Sequence, residues 1–130
     1  IKELRSLAVD FLDNGGGSGE ESCDYCQGDR DPRSSDNPDK AIISLKNDRE
    51  TEYKVYIAVQ NELVAAYNVL RNREFARLYP NEGLTYVEAD LRYTDPRTSI
   101  DDKSSLKEKL DVIKALYPQK LSEAEPSKVN

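Results

Sequence analysis

Tyr56-Ile57-Ala58-Val59-Gln60-Asn61-Glu62-Leu63-Val64-Ala65-Ala66-Tyr67-Asn68 is the stretch whose reading decides the fold. On a helical wheel Tyr56, Val59, Leu63, Ala66, Tyr67 and Leu70 share one face, whereas Lys54, Asn61, Glu62, Asn68 and Asn72 lie away from it. That spacing predicts a long amphipathic helix over about 52–79, ending before Pro80. Leu63 sits at the centre of the apolar arc and is expected to be among the most buried side chains. After Leu70 the pattern drifts. Phe75 and Leu78 rotate off the stripe, so the last turns are expected to bend or leave the core. Tyr53, Tyr56 and Tyr67 would serve either as binding anchors or as core residues with the hydroxyl at the rim. The apolar-face positions of Tyr56 and Tyr67 favour the core reading.

Working toward the N-terminus, the adjacent isoleucines and the alternation in Ala41-Ile42-Ile43-Ser44-Leu45-Lys46 predict a short strand over 41–46. Asn47-Asp48-Arg49-Glu50 reads as a turn and Thr51 as the cap of the long helix. Residues 14–39 read as a long irregular loop rich in Gly, Ser, Asp and Pro. Over 14–36 Tyr25 is almost the only apolar anchor, so that part is expected to be mobile. Before it, Leu4, Leu7, Ala8 and Phe11 follow the spacing of one helical face, which predicts a helix over 2–13.

Toward the C-terminus, residues 84–93 support two readings. Val87, Ala89, Leu91 and Tyr93 alternate as in a strand, and Thr85-x-x-Glu88 has the form of a helix capping box. Asp95-Pro96 ends either element. Ser105-x-x-Glu108 is a second box, and Leu106, Leu110, Ile113 and Leu116 or Tyr117 then follow the helical period, giving a helix over 104–117 that Pro118 stops. Residues 119–124 have a weak strand signal around Leu121, and Pro126–Asn130 read as a frayed tail.

Composition narrows the function. The 130 residues suit one domain, and 37% hydrophobic with 34% charged residues allows a core with a well-solvated surface. A net charge of −6 with scattered basic residues leaves no footprint for nucleic acid. No stretch approaches the roughly 20 apolar residues of a membrane span. The chain opens at Ile1 and holds no methionine, so we expect a piece of a longer polypeptide whose targeting or membrane segment lies upstream. Without histidine, a Ser/His/Asp or Cys/His arrangement is not available. No phosphate-cradling glycine motif precedes a helix. No catalytic, cofactor-binding or metal-ligating residue is expected.

Cys23-Asp24-Tyr25-Cys26 is the most conspicuous motif. Its acidic neighbours Glu20, Glu21 and Asp24 push thiol pKa values up, against the low values of redox pairs. Zinc needs about four ligands, and one pair of thiols supplies half of them. The pair therefore reads first as a local disulfide or a free pair, then as a pin that fixes the loop for a partner, and last as a redox or metal site. Asp29, Asp31, Asp36 and Asp39 lack the alternating spacing of a calcium loop and read as a solvated acidic segment.

Three segments together carry a resemblance: Asn37-Pro38-Asp39-Lys40-Ala41-Ile42-Ile43-Ser44-Leu45-Lys46-Asn47-Asp48-Arg49, then residues 56–68 with Leu70-Arg71-Asn72, then Tyr117-Pro118-Gln119-Lys120-Leu121-Ser122-Glu123-Ala124-Glu125-Pro126. In this order they resemble the periplasmic domain of the ExbD/TolR family of biopolymer transport proteins. The resemblance covers about half of the chain and is silent on 14–36 and 80–103, which are expected to be loop insertions in a single domain spanning 1–130. It implies an α+β two-layer fold, a small sheet with helices packed on one face. Strand 41–46, helix 52–79 and strand 119–124 would form a parallel βαβ unit, with the last strand at an edge.

The function that the resemblance implies is non-catalytic. The chain would be the periplasmic part of a component of the proton-motive-force-driven TonB–ExbB–ExbD system that energises outer-membrane transport. An upstream helix absent from this sequence would anchor it in the inner membrane. Its implied partners are ExbB-like and TonB-like proteins and a second copy of itself. A TolR-like role in envelope integrity, with contact to peptidoglycan, is the nearest alternative. A small redox or binding protein built on Cys23 and Cys26 is an alternative of another class.

Overall fold

A computed structural model describes residues 2–17, 19–46 and 52–124. Helix α2 (Tyr53–Leu78) is the element against which the others pack. At about 100° per residue, Leu63, Ala66, Tyr67 and Leu70 fall in one arc, and all four are buried. Leu63 is 3% exposed and Tyr67 fully buried, whereas Tyr56 and Val59, a turn or two earlier, are only half-buried, and Tyr53 is exposed. The expected turn over 47–50 and the Thr51 cap lie outside the described residues, as does the tail 126–130.

Helix α1 (Lys2–Leu12) packs along α2. Its buried centre is Ala8 and Leu12, not the whole set Leu4, Leu7, Ala8 and Phe11. The face is rotated by about one position, which leaves Leu7 on the rim at 63% exposure. Arg5 reaches Glu62 of α2 across this contact, Nε to Oε2 2.8 Å.

Strands β1 (Ile43–Lys46) and β2 (Leu121–Ala124) run parallel, with Ile43 opposite Leu121 and Lys46 opposite Ala124. Both are shorter than expected by two residues at their starts. The chain is thus a mixed helix-and-strand protein with a two-stranded parallel sheet among the described residues. Ile43, Leu45 and Leu121 pack against Ala8, Leu63 and Ala66. Ile43 and Leu121 also border the cluster of Leu12, Ala41, Tyr67, Leu70 and Tyr117.

Residues 80–103, expected as a loop insertion, are largely helical. After a short turn at Pro80–Glu82 comes α3 (Tyr86–Thr94). The Thr85 hydroxyl accepts from the Glu88 amide, and the Glu88 carboxylate accepts from the Thr85 amide, so the capping box decides between the two readings of 84–93. Helix α4 (Ile100–Leu116) starts earlier than the expected residue 104. Its cap is Ser99, whose side chain accepts from the Asp102 amide, with Asp101 and Asp102 in the first turn facing the positive end of the helix dipole. Ser105 lies inside the helix and caps nothing. Phe75 does not leave the core: it is fully buried in a second cluster with Tyr86, Ala89, Leu106, Leu110 and Ile113. Leu78, one turn on, is 38% exposed.

Candidate functional site

Segment 14–40 has no helix or strand among its described residues, yet it folds back on the C-terminal end of α1. Cys23 and Cys26 are joined in a disulfide. Their side chains are buried in the same cluster as Leu12, Tyr67 and Tyr117, so the loop is anchored by more than Tyr25. Arg30 draws its backbone together, donating to the carbonyls of Cys23 and Cys26 at 2.5 and 2.8 Å and of Gly15 at 3.2 Å. The Asn14 side chain donates to the carbonyls of Asp31 and Ser35, and its Oδ1 accepts from the Asp31 amide. The Gly28 amide donates to the Asp13 carbonyl at 2.8 Å, an approach so close that a Cβ at 28 would lie 2.5 Å from that oxygen.

At the centre stands Asp13, 6% exposed. Its carboxylate accepts from Arg73 Nη1 at 2.7 Å, from Arg73 Nη2 at 3.0 Å, from the Tyr117 hydroxyl at 2.5 Å and from the Gln27 amide at 3.2 Å. Burial alone would raise the Asp13 pKa. The hydrogen bonds from Arg73, Tyr117 and Gln27 and the Arg73 charge outweigh it and hold the carboxyl below its usual range. Tyr117 moves the other way. Burial, then the hydrogen bond to the Asp13 carboxylate, push its phenol well above the usual value. Asp13 is therefore ionised and Tyr117 neutral at neutral pH, and the pair is a lock rather than a proton relay.

Glu74 is fully buried and bridges Arg73 and Arg77, with Arg77 Nη2 at 2.6 Å and Arg73 Nε at 3.1 Å. Arg71 joins the cluster around Tyr67 to the one around Phe75 and Tyr86. Its Nε donates to the Tyr117 carbonyl at 3.0 Å, and its guanidinium lies over the rings of Tyr67 and Tyr86 at 5.9 and 5.3 Å. This gathers Asp13, Arg71, Arg73, Glu74, Tyr117 and the disulfide where the end of α1 meets α2.

Along α1 lies an open apolar groove of about 300 Å³, lined by Leu4, Leu7, Ala8, Phe11, Ile42, Ile43 and Leu63. Leu7 and Ile42, 63% and 59% exposed, form its lips. The groove reaches the start of β1 at Ile43, and the only strand partner of β1 among the described residues is β2. An open strand edge next to an apolar groove suits an extended segment that adds main-chain hydrogen bonds and places apolar side chains alongside.

Sequence reading singled out Cys23 and Cys26 and the helix face Tyr56, Val59, Leu63, Tyr67 and Leu70. The structure brings Cys23, Cys26, Tyr67 and Leu70 into one cluster and places Leu63 in its neighbour. Glu74, Arg71 and Arg73 were missed. Glu74 lies three turns after Leu63 on the same stripe, and a carboxylate flanked by arginines at i−1 and i+3 was its available signal. Within the acidic segment, Asp31 pairs with Arg33 on the surface. Among the described residues, no group of three or more His, Cys, Asp or Glu is placed to hold a metal ion. No helix among them is long and apolar enough to cross a membrane. No protein-family model, curated protein or solved structure matches the chain.

Proposed function

We propose that this chain is the periplasmic part of an ExbD-like component of a TonB–ExbB–ExbD system, working by protein–protein contact and without catalysis. The observation that carries this reading is the meeting of segments far apart in sequence. Residues 37–49 and 117–126, which bear the resemblance, supply β1 and β2, and these pair in parallel with Ile43 opposite Leu121. The third resembling segment is the helix between them, and its buried face packs on both strands. On this reading β1, α2 and β2 form one right-handed βαβ unit in a two-layer domain with helices on one face of the sheet.

The open edge and groove then become the contact surface. A TonB-like partner would lay an extended segment along Ile42–Lys46, with apolar side chains against Leu7 and Phe11. Self-association through a sheet edge or the long helix follows from the same exposed edge. Titration with the periplasmic segment of a TonB-like protein, followed by NMR, tests the reading. Shifts centred on Ile42–Lys46 and Leu7 are expected. The absence of any shift up to about 1 mM partner would contradict it, and retention on purified peptidoglycan in place of TonB binding would move the chain to the TolR-like role.

A further inference from the structure

Three contacts join the Cys23–Cys26 loop to one short stretch of chain. The Tyr25 hydroxyl donates to the Leu116 carbonyl at 2.5 Å. The Tyr25 ring stands edge-on to the Tyr117 ring, centroids 5.5 Å apart. The Tyr117 hydroxyl lies 3.7 Å from Cys26 Sγ while it donates to Asp13. Leu116 and Tyr117 end α4 and lead, through Pro118–Lys120, directly into β2.

β2 is thus held from two sides. From α2, Arg71 holds the Tyr117 carbonyl and the Tyr67 hydroxyl accepts from the Lys120 amide at 3.2 Å. From the loop, Tyr25 and Cys26 meet the Leu116 carbonyl and Tyr117, whose hydroxyl is also held by Asp13 at the end of α1 and by Arg73 of α2. The first hold is independent of the disulfide. The second is built on it, because residues 23–26 form the bridged turn that presents Tyr25 and Cys26 together.

We propose that the Cys23–Cys26 disulfide is a redox-sensitive latch that sets how firmly the approach to β2 is fastened. A dithiol reductant attacks one sulfur, breaks the S–S bond and leaves as its own disulfide by way of a mixed disulfide. It delivers two electrons, and two protons complete the thiols of Cys23 and Cys26. Two unbonded sulfurs must then move to van der Waals separation inside a cluster where Cys23 is 1% and Cys26 4% exposed. A close-packed interior has no room for this without displacing a neighbour. The movable neighbour is the loop itself, whose Asp24 and Gln27 face solvent. Its displacement withdraws Tyr25 from Leu116 and Tyr117 and leaves the approach to β2 on the α2 and Asp13 holds and on the pairing with β1.

The test is amide hydrogen exchange on the full chain, oxidised and after reduction with dithiothreitol, with bridge opening verified by alkylation mass. On reduction, exchange over 117–124 and 27–31 should rise by about tenfold or more, the equivalent of one lost buried hydrogen bond, while α3 keeps its protection. Unchanged exchange over 117–124 with the bridge open would overturn the proposal, leaving the disulfide as a purely local closure. Uniform loss of protection across α3 and α4 would also overturn it, since the bridge would then support global stability. The oxidised Tyr25→Phe variant removes only the Leu116 contact and should raise exchange over 117–124 in the same direction. No change in that variant counts against the latch independently of how the reduced chain behaves.

Discussion

Segments 14–40 and 80–116 are held in opposite ways. The first has no helix or strand among its described residues and is held by side chains that reach into its backbone: Arg30 and Asn14 on carbonyls, Asp13 on the Gln27 amide, and a disulfide at its centre. The second is almost all helix, ordered by two capped N-termini and an apolar cluster around Phe75. Stability in the first depends on a few polar groups whose loss leaves partners unsatisfied in a buried setting. In the second it is spread over many apolar contacts, none of them directional. α2 serves both, with Tyr67 and Leu70 toward the loop and Phe75 toward the helices.

The largest effect should come from Phe75→Ala. Phe75 is fully buried where α2, α3 and α4 meet, and its truncation should cost about 3–5 kcal/mol in urea unfolding, with the loss concentrated in α3 and α4. A cost below about 1 kcal/mol would mean that the second cluster is not a core.

Asp13→Asn probes the other region. It removes a charge that Arg73 and Tyr117 both address, and about 3 kcal/mol of destabilisation is expected, since breaking a buried pair leaves its partner uncompensated. The same residue gives the loop a pH signature. The folded pKa of Asp13 lies below the ordinary 3.8, so the unfolded chain binds its proton first as pH falls. Its contribution is complete well above 3.8 and is lost as pH drops below that value through the folded pKa. The acid side of the stability curve should therefore be shallower in Asp13→Asn. An identical acid limb in the two proteins would contradict the lock.

Thr85→Ala is the smallest of these changes, about 1 kcal/mol through loss of the capping box, felt in α3 and not in the loop. Equal loss of protection in both regions would erase the distinction between them.

Legibility in the sequence follows the same division. Periodicity and local chemistry located α1, α2 and β1, and the Thr85-x-x-Glu88 spacing contained the answer for α3. The start of α4 was missed because Ile100 is 82% exposed, so the apolar period does not begin until Leu106. The anchors of the loop were not visible because they are not apolar runs. Asp13 and Tyr117 stand 104 positions apart, and nothing local in either marks the other as a partner. Arg30 and Asn14 act on backbone carbonyls, which no residue pattern displays. Glu74 was readable only by extending the α2 stripe past the point where its apolar character fades.

The central claim is that segment 14–40 is an ordered, polar-clamped part of the fold. NMR-detected amide exchange on the oxidised chain tests it most directly, at the amides of Cys23, Gly28, Arg30 and Asp31. Each donates to a carbonyl or side-chain oxygen within the clamp. Protection of these four by about a hundredfold or more over free-peptide rates is expected. Exchange at free-peptide rates, with α4 still protected, would show that the clamp does not hold and that the loop is as mobile as its composition implies.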